Sequence, residues 1–585
     1  MKNKNILVFD LETDDLDINT CNIISFHGYS YREDKYYNLM FKDNKKEIQK
    51  ILDSHQVYVT YNGDEFDTKI ISRVYAKQYN YVKPIDLLKI IKRRGTLIKY
   101  GGFKKKSLSV IAKALDLKNK KIDDFDYDML KKPNHSSEEI QLIFKYGQQD
   151  IEVTKELFEY LYNYFYFYRE YMNKIDIREW SWLMSSPGTY AYKAICHLTG
   201  LKEEWLNDED REKYKQEDLN FEGGYVSIPA TEFITGNIYC LDFNSAYPHA
   251  YIMLNLFGNK CTCCTKEEKY DGGELFELSG KYCTKQLNII SKVIKDLYML
   301  RLEYKKNKDP REVALKIILN TLYGICGNPV FKNVFNINTA KDCTLFVRES
   351  IKLGRKMFTE AGYKVLYSDT DSIYMEDVYD DEERLMMIKT SVINKIKKSV
   401  PFQQDTFDMG IDDEIRLMYF PGLKKKNYLY VTKTGKLKLK GLPLMKSNAS
   451  KLGVLVFNKY IKKEIIDNNN VKFKWRYIKD VIDEEIGNNF SIVEQEFNLK
   501  ELNKYNCKTN LFYNLAEKYG KGQHNLIPNT VFGTGKSKKF CTLKEFNENK
   551  LCIRDIVLDK FWQEINPFIK TRNKQKELST WTNIQ

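Results

Sequence analysis

No uninterrupted apolar run in this 585-residue chain approaches the roughly 20 residues needed to cross a bilayer. The amino terminus also lacks the apolar core of a signal peptide. Met1 to Phe9 carries two lysines and then only Ile6, Leu7, Val8 and Phe9 before Asp10. The twelve cysteines are scattered rather than framed like a small secreted scaffold, which fits reduced thiols in a reducing compartment. These absences argue against membrane-embedded and disulfide-stapled classes and lead to the expectation of a soluble, cytoplasmic protein with no membrane partner. One local group, Cys261, Cys263, Cys264 and Cys283, has enough thiolates for zinc but lacks a clean pair of Cys-x-x-Cys knuckles. Free thiols, not zinc, are expected there.

The chain is too long for one hydrophobic core, so three or more subdomains are expected, and its 43% hydrophobic content is ordinary for globular protein. A net charge of +14, from 94 basic and 80 acidic residues dispersed along the chain, would attract a polyanion in a salt-dependent way. Simple solubility explains the same charge, so it favours nucleic acid only modestly.

The first 160 residues open on a β-rich run, Ile6 to Phe9, carrying Asp10-Leu-Glu12. They continue through mixed signals to a helix after Ser137 that runs through Leu157 to Tyr168. A compact α/β domain is expected, with the aromatic run up to Tyr168 packed rather than exposed as a base-stacking platform. A connecting region ends in Phe221-Glu-Gly-Gly-Tyr225, where Gly223 and Gly224 permit close backbone approach or positive φ. A helix from about Gln286 to Lys306 stops before Pro310, and a second from about Glu312 to Tyr323 ends at Gly324, giving an antiparallel hairpin. Arg301 and Lys305 share one helix face, and Lys316, Asn320 and Tyr323 share another.

Tyr367-Ser-Asp-Thr-Asp-Ser372 puts Asp369 and Asp371 on one short hydrophobic hairpin, where carboxylates can hold a divalent metal. Asp242 follows strand-like sequence from Asn237 to Leu241, as the hairpin follows Lys364 to Leu366. Neighbouring strands of one sheet would bring Asp242 and Asp371 together, with Asp369 in support unless a tight turn intervenes. Asp242-Phe-Asn-Ser-Ala-Tyr-Pro248, Lys316-Ile-Ile-Leu-Asn-Thr-Leu-Tyr-Gly324 and Tyr367 to Ser372, in that order, resemble motifs A, B and C of family B DNA polymerases. In the amino-terminal domain, Asp10-Leu-Glu12, Asn62-Gly-Asp-Glu-Phe-Asp67 and Tyr146-Gly-Gln-Gln-Asp150 resemble the family's Exo I, Exo II and Exo III motifs, also in order.

The resemblance implies an RNase H-like exonuclease domain (1–160), a connecting region (161–235), and a right-hand polymerase. The polymerase would comprise palm (236–285 and 326–440), fingers (286–325) and thumb (441–585). It implies Asp242, Asp371 and the Phe243 carbonyl as ligands of two magnesium or manganese ions, with Asp369 in support. Tyr247 would exclude a 2′ hydroxyl, Arg301, Lys305, Lys316 and Asn320 would hold the triphosphate, and Tyr323 would lie near the nascent base pair. Lys425-Lys-Asn-Tyr428 resembles the family's Lys-Lys-x-Tyr element and Lys438-Leu-Lys-Gly441 the basic element after it. Lys425, Lys426, Tyr428, Lys438 and Lys440, with Gly223 and Gly224, would meet primer-template DNA.

In the exonuclease, Asp10, Glu12, Asp67 and Asp150 would hold two further metal ions, and Tyr146 would orient the attacking water. Asn62 and Phe66 would hold the terminal nucleotide. Lys121 aligns loosely and stays outside this core set. Ala246, Thr321 and Phe221 depart from the residues usual at their positions, which bears on fine tuning rather than on the reaction.

The function implied is template-directed DNA synthesis from dNTPs with 3′→5′ proofreading, alongside replisome accessory proteins. Three alternatives remain open: a protein-primed polymerase, a 3′ exonuclease with a binding-only polymerase half, and a noncatalytic DNA-binding scaffold. The short stretches from Asp242 to Asn320 and from Asn320 to Asp369 leave little space for the insertions of protein-primed enzymes. The compact length suggests a viral, phage or mobile-element source and thus host cytoplasm.

Overall fold

A computed structural model describes residues 5–76, 85–98, 106–122, 124–164, 186–215, 219–446, 449–504, 511–529, 539–551 and 558–570. The chain divides into two compact units. The first takes in residues 1–223, 245–347 and 397–405, and the second 224–244, 348–396 and 406–585. The division at 244/245 falls inside the segment expected as the first part of the palm.

In the first unit, strands β1 (Ile6–Thr13), β2 (Ile23–Ser30), β3 (Lys35–Met40), β4 (Val57–Thr60) and β5 (Ile85–Asp86) form a sheet in the order β3-β2-β1-β4-β5. Pairing is antiparallel from β1 through β3 and parallel from β1 through β5. Leu7, Phe9 and Leu11 alternate into a core with Phe26, Leu52, Ile70 and Ile71. Helix α1 (Asp67–Val74) follows β4, and α2 (Ser137–Tyr164) packs across β1, β2 and β3. The aromatic stretch beyond Tyr164 lies outside the described residues, while Tyr164 itself is buried.

The same unit carries helices α3 (Ala246–Met253), α4 (Ile289–Lys306) and α5 (Arg311–Cys326). The α4 helix begins three residues later than expected because Asn288 caps it, its side chain accepting the Ile290 amide at 2.9 Å. The α5 helix does not stop at Gly324. That glycine stays helical and Gly327 follows as the cap, because Leu322, Ile325 and Cys326 continue the buried face. The Arg301–Glu312 ion pair, 2.7 Å, ties the two helices together.

In the second unit, β6 (Tyr225–Val226), β7 (Phe233–Phe243), β8 (Lys364–Thr370), β9 (Ser372–Glu376), β10 (Met409–Tyr419), β11 (Tyr428–Thr432) and β12 (Leu437–Lys440) form one sheet in the order β12-β11-β10-β7-β9-β8-β6. Period-2 alternation serves two cores. Met418, Phe420, Tyr428 and Tyr430 join Ile238, Cys240, Leu366 and Tyr367, whereas Leu417, Tyr419, Leu429 and Val431 pack with Val456, Ile482, Trp562 and Phe568. Beyond residue 441 come helices including Lys451–Val456 and Trp475–Asn488, and a three-stranded sheet of β13 (Gln495–Leu499), β14 (Gly522–Asn529) and β15 (Lys539–Cys541). Among the described residues no helix is long and apolar enough to cross a membrane.

Candidate active sites

Asp10 and Glu12 are two apart on β1 and so share a face, while Asp150 lies one turn beyond Tyr146 on α2. Carboxylate oxygens of Asp10, Glu12 and Asp150 all lie within 4.8 Å of one another. Burial, with the charge of Asp150 adding, pushes Asp10 up to about 7, against the pull of Lys121 and the Leu11 amide. Glu12 is held well above the carboxylate range by burial and by Asp10 and Asp150. Burial also raises Asp150, outweighing its ion pair with Lys121. Three clustered acids, Glu12 and Asp150 buried and Asp10 half-buried, cannot all ionise facing one lysine without more positive charge. One buried oxygen of Asp150, Oδ1, has no hydrogen-bond partner. A hard divalent cation fits this donor set.

Asp67 is buried at the start of α1, but its Oδ1 accepts the Leu11 amide at 3.1 Å, and it stands outside the close group of three. Lys121, set apart at the sequence level, belongs to the site: besides pairing with Asp150 it lies 4.9 Å from the Tyr146 ring centre. Tyr146 is stacked on Phe125 at 4.0 Å and shares a 2.7 Å hydrogen bond with the Tyr127 hydroxyl. Neither aromatic was anticipated. Gly147 lets α2 approach the sheet, since a Cβ there would meet the buried His27 ring at 2.2 Å. Asn62 takes a left-handed turn conformation, with its amide donating to Asp86. Phe66 packs against the domain core.

Also in the first unit, Lys305 is exposed on α4, and Lys316, Asn320 and Tyr323 are exposed along one face of α5. Tyr323 stacks on Tyr247 with ring centres 5.2 Å apart. Arg301 is held by Glu312 and by the Ser245 hydroxyl, 2.8 Å away. Ser245 has φ of 51°, a left-handed conformation costly for a side-chain-bearing residue and concentrated at functional sites.

The acids of the second unit sit at one end of its sheet. Contrary to expectation, the strand bearing Asp242 does not neighbour β8. It pairs with β9, the returning strand of the hairpin, with Asp242 opposite Ser372. Asp369 also pairs with Ser372, leaving Thr370 and Asp371 as a two-residue turn with Thr370 at φ of 65°. The turn therefore breaks simple alternation between Asp369 and Asp371. The Phe243 amide donates to the Asp371 carbonyl at 3.0 Å, fixing the end of β7 to that turn. Burial lifts Asp371 to about 6; its own backbone amide opposes this, Asp369 adds to it, Lys440 opposes it and Asp412 adds to it. Asp412, missed in the sequence, is the extra residue of a bulge in β10 between the partners of Leu241 and Cys240.

Gly224 is required for close approach, not for positive φ: a Cβ would meet the Thr370 side chain at 2.7 Å. Gly223 has open space at that position. Lys425, Lys426 and Lys440 are exposed. Lys438 is paired with Asp413. Tyr428, expected on DNA, is 1% exposed, because it belongs to the inward-facing set of β11. Its hydroxyl lies 3.3 Å from Asp369 Oδ2 and 3.1 Å from the Tyr374 hydroxyl.

Residues 7–162 match the RNase H superfamily, and residues 194–529 match DNA polymerase family B. Similar proteins include DNA polymerase 1 of Saccharolobus solfataricus (29% identical, covering 48% of this chain and 32% of that protein) and DNA polymerase 1 of Aeropyrum pernix (24% identical, covering 71% and 45%). The chain thus spans about a third to under a half of the length of these curated relatives. Its fold resembles the family B DNA polymerase of Pyrobaculum calidifontis, with TM-score 0.58 and 14% identity over 96% of this chain and 77% of that one. Motifs in order, an acid-lined hairpin and a family match across more than half of its length place this chain in DNA polymerase family B.

Proposed function

We propose that this chain extends a DNA primer along a template with dNTPs and trims the same 3′ end by hydrolysis. The observation that carries the reading is the presence of two carboxylate sets, each with acids raised by burial, one in the RNase H-like segment and one in the polymerase segment. Residues 1–160 serve as exonuclease, 161–235 as connector, 236–285 and 326–440 as palm, 286–325 as fingers and 441–585 as thumb. Primer-template DNA and dNTPs are the substrates, with replisome accessory proteins as partners and the cytoplasm as the setting.

In synthesis, Asp242 and Asp371, with the Phe243 carbonyl, would hold two magnesium ions, which supply an activated 3′ hydroxyl and stabilise charge on the leaving pyrophosphate. Tyr428 and Tyr374 keep Asp369 oriented beside them. Lys305, Lys316 and Asn320, together with Arg301 once it turns from Glu312, grip the triphosphate through charge-assisted hydrogen bonds. Tyr247, backed by Tyr323, blocks a 2′ hydroxyl and so selects deoxyribose. Gly223 and Gly224 with Lys425, Lys426 and Lys440 contact DNA phosphates, which fixes register without reading sequence. Lys438 serves the same surface through its pairing with Asp413.

In hydrolysis, Asp10, Glu12 and Asp150 would hold the metal ions, with Asp67 alongside. Tyr146 orients the attacking water, Lys121 balances the acids, and Asn62 and Phe66 steady the frayed nucleotide. Single substitutions test the assignment. Asp371→Ala is expected to abolish primer extension while primer shortening persists, and Asp10→Ala to do the reverse. Loss of both activities in either variant, with the fold intact, would refute two separate sites.

A further inference from the structure

The segment between α3 and α4, residues 254–288, has little regular structure: a turn at Gly258–Lys260 and one bridge between Tyr270 and Tyr282. It is nevertheless ordered around its cysteines. The sulfurs of Cys261, Cys263, Cys264 and Cys283 all lie within 4.8 Å of one another. Cys283 Sγ stands 3.4 Å from Cys263 Sγ and 3.5 Å from Cys264 Sγ, and the last two are 3.9 Å apart. Disulfide sulfurs are about 2.05 Å apart, so these are not bonded pairs. Four thiolates around one zinc ion, at about 2.3 Å each, stand about 3.8 Å from one another at the corners of a tetrahedron. The observed separations bracket that figure.

The surroundings also suit a metal. Backbone amides of Thr284 and Lys285 donate to the Cys264 sulfur, as outer groups commonly do for metal-bound thiolates. Cys283 is buried and anchored, its amide donating to the Gly258 carbonyl at 3.2 Å and its carbonyl accepting from Asn255 Nδ2 at 3.0 Å. Asn255 Oδ1 in turn accepts the amide of Asn288, the cap of α4. Bends at residues 262–264 turn the adjacent Cys263 and Cys264 toward one point, which an extended strand would not. The spacing lacks paired Cys-x-x-Cys knuckles, yet the folded segment assembles the ligand set that such knuckles provide.

We infer that Cys261, Cys263, Cys264 and Cys283 form a closed, tetrahedral four-thiolate site for one zinc ion, which staples the segment leading into α4. With no open ligand position, the site is structural. Binding releases thiol protons and stabilises the loop in which the ligands converge. It is separate in chemistry from the carboxylate sites, whose oxygen ligands suit magnesium.

The test uses the full chain purified under reducing conditions and dialysed against EDTA to clear the carboxylate sites. Elemental analysis is expected to find one zinc and no iron per chain. Replacement by cobalt is expected to give the thiolate-to-metal charge-transfer band that carboxylate sites cannot produce. The double variant Cys263→Ser/Cys283→Ser is expected to lose both signals. If that variant does not fold, alkylation of the wild type decides: the four thiols should be protected when loaded and reactive after the metal is stripped with a mercurial. Absence of zinc and of the cobalt band, a band that survives in the folded double variant, or Cys283 disulfide-bonded to Cys263 or Cys264 would overturn the inference.

Discussion

Tyr428 shows how far a residue's role depends on which way its strand faces. In sequence, Lys425-Lys-Asn-Tyr428 looks like a surface element, and the lysines are indeed exposed. The tyrosine begins β11 facing inward, however, and directs its hydroxyl at Asp369. Tyr428→Phe is therefore expected to cut primer extension about 10–100-fold, the usual cost of losing a group that orients a metal-binding shell. Exonuclease activity and DNA affinity should change little; a loss confined to DNA binding would return Tyr428 to the surface role. Gly147 makes the complementary point. With the His27 ring 2.2 Å from where its Cβ would stand, Gly147→Ala is expected to destabilise the chain by about 1–3 kcal/mol through overpacking. It should also displace Tyr146 and Asp150, and a lowered Tm with weakened primer shortening would register both effects.

At the scale of elements, the sequence was most informative where spacing alone sets geometry. Asp10 and Glu12 share a face because strands repeat every two residues, and Tyr146 and Asp150 because helices turn about every 3.6. The antiparallel helix pair was legible from Pro310 and its polar flank, though Gly324 proved a poor stop signal because burial carries α5 past it. What stayed hidden depends on partners far away in the chain. The insertion of β9 between β7 and β8, the bulge that presents Asp412, and the convergence of Cys283 with cysteines about twenty residues earlier leave no local period to read. The acids of the RNase H-like segment also set a pH dependence. In the metal-free chain Asp10 is raised to about 7, so its protonated form favours folding. That stabilisation is present at acid pH and is lost as pH rises toward and through 7. Divalent cations need the ionised acids, so Mg²⁺ should raise Tm more at pH 8 than at pH 5, as thermal denaturation with and without the ion can show. An equal increment at both pH values would mean that these carboxylates are not the ligands.

For the whole molecule, the order of segments carries the meaning. An RNase H-like segment precedes a family B polymerase segment. Asp242, Asp369 and Asp371 belong to the second compact unit, and Asp10, Glu12, Asp67 and Asp150, with helices α4 and α5, to the first. A nuclease with a binding-only partner would have no use for the half-buried acid at the β8–β9 turn, and a scaffold would have no use for either carboxylate set. The most direct measurement is a labelled primer on a longer template with Mg²⁺, incubated with and without dNTPs. The account predicts extension with dNTPs and shortening without them, from one preparation of the wild-type chain. Shortening in both reactions would contradict template-directed synthesis from a nucleic-acid primer, and a primer unchanged in both would contradict the account as a whole.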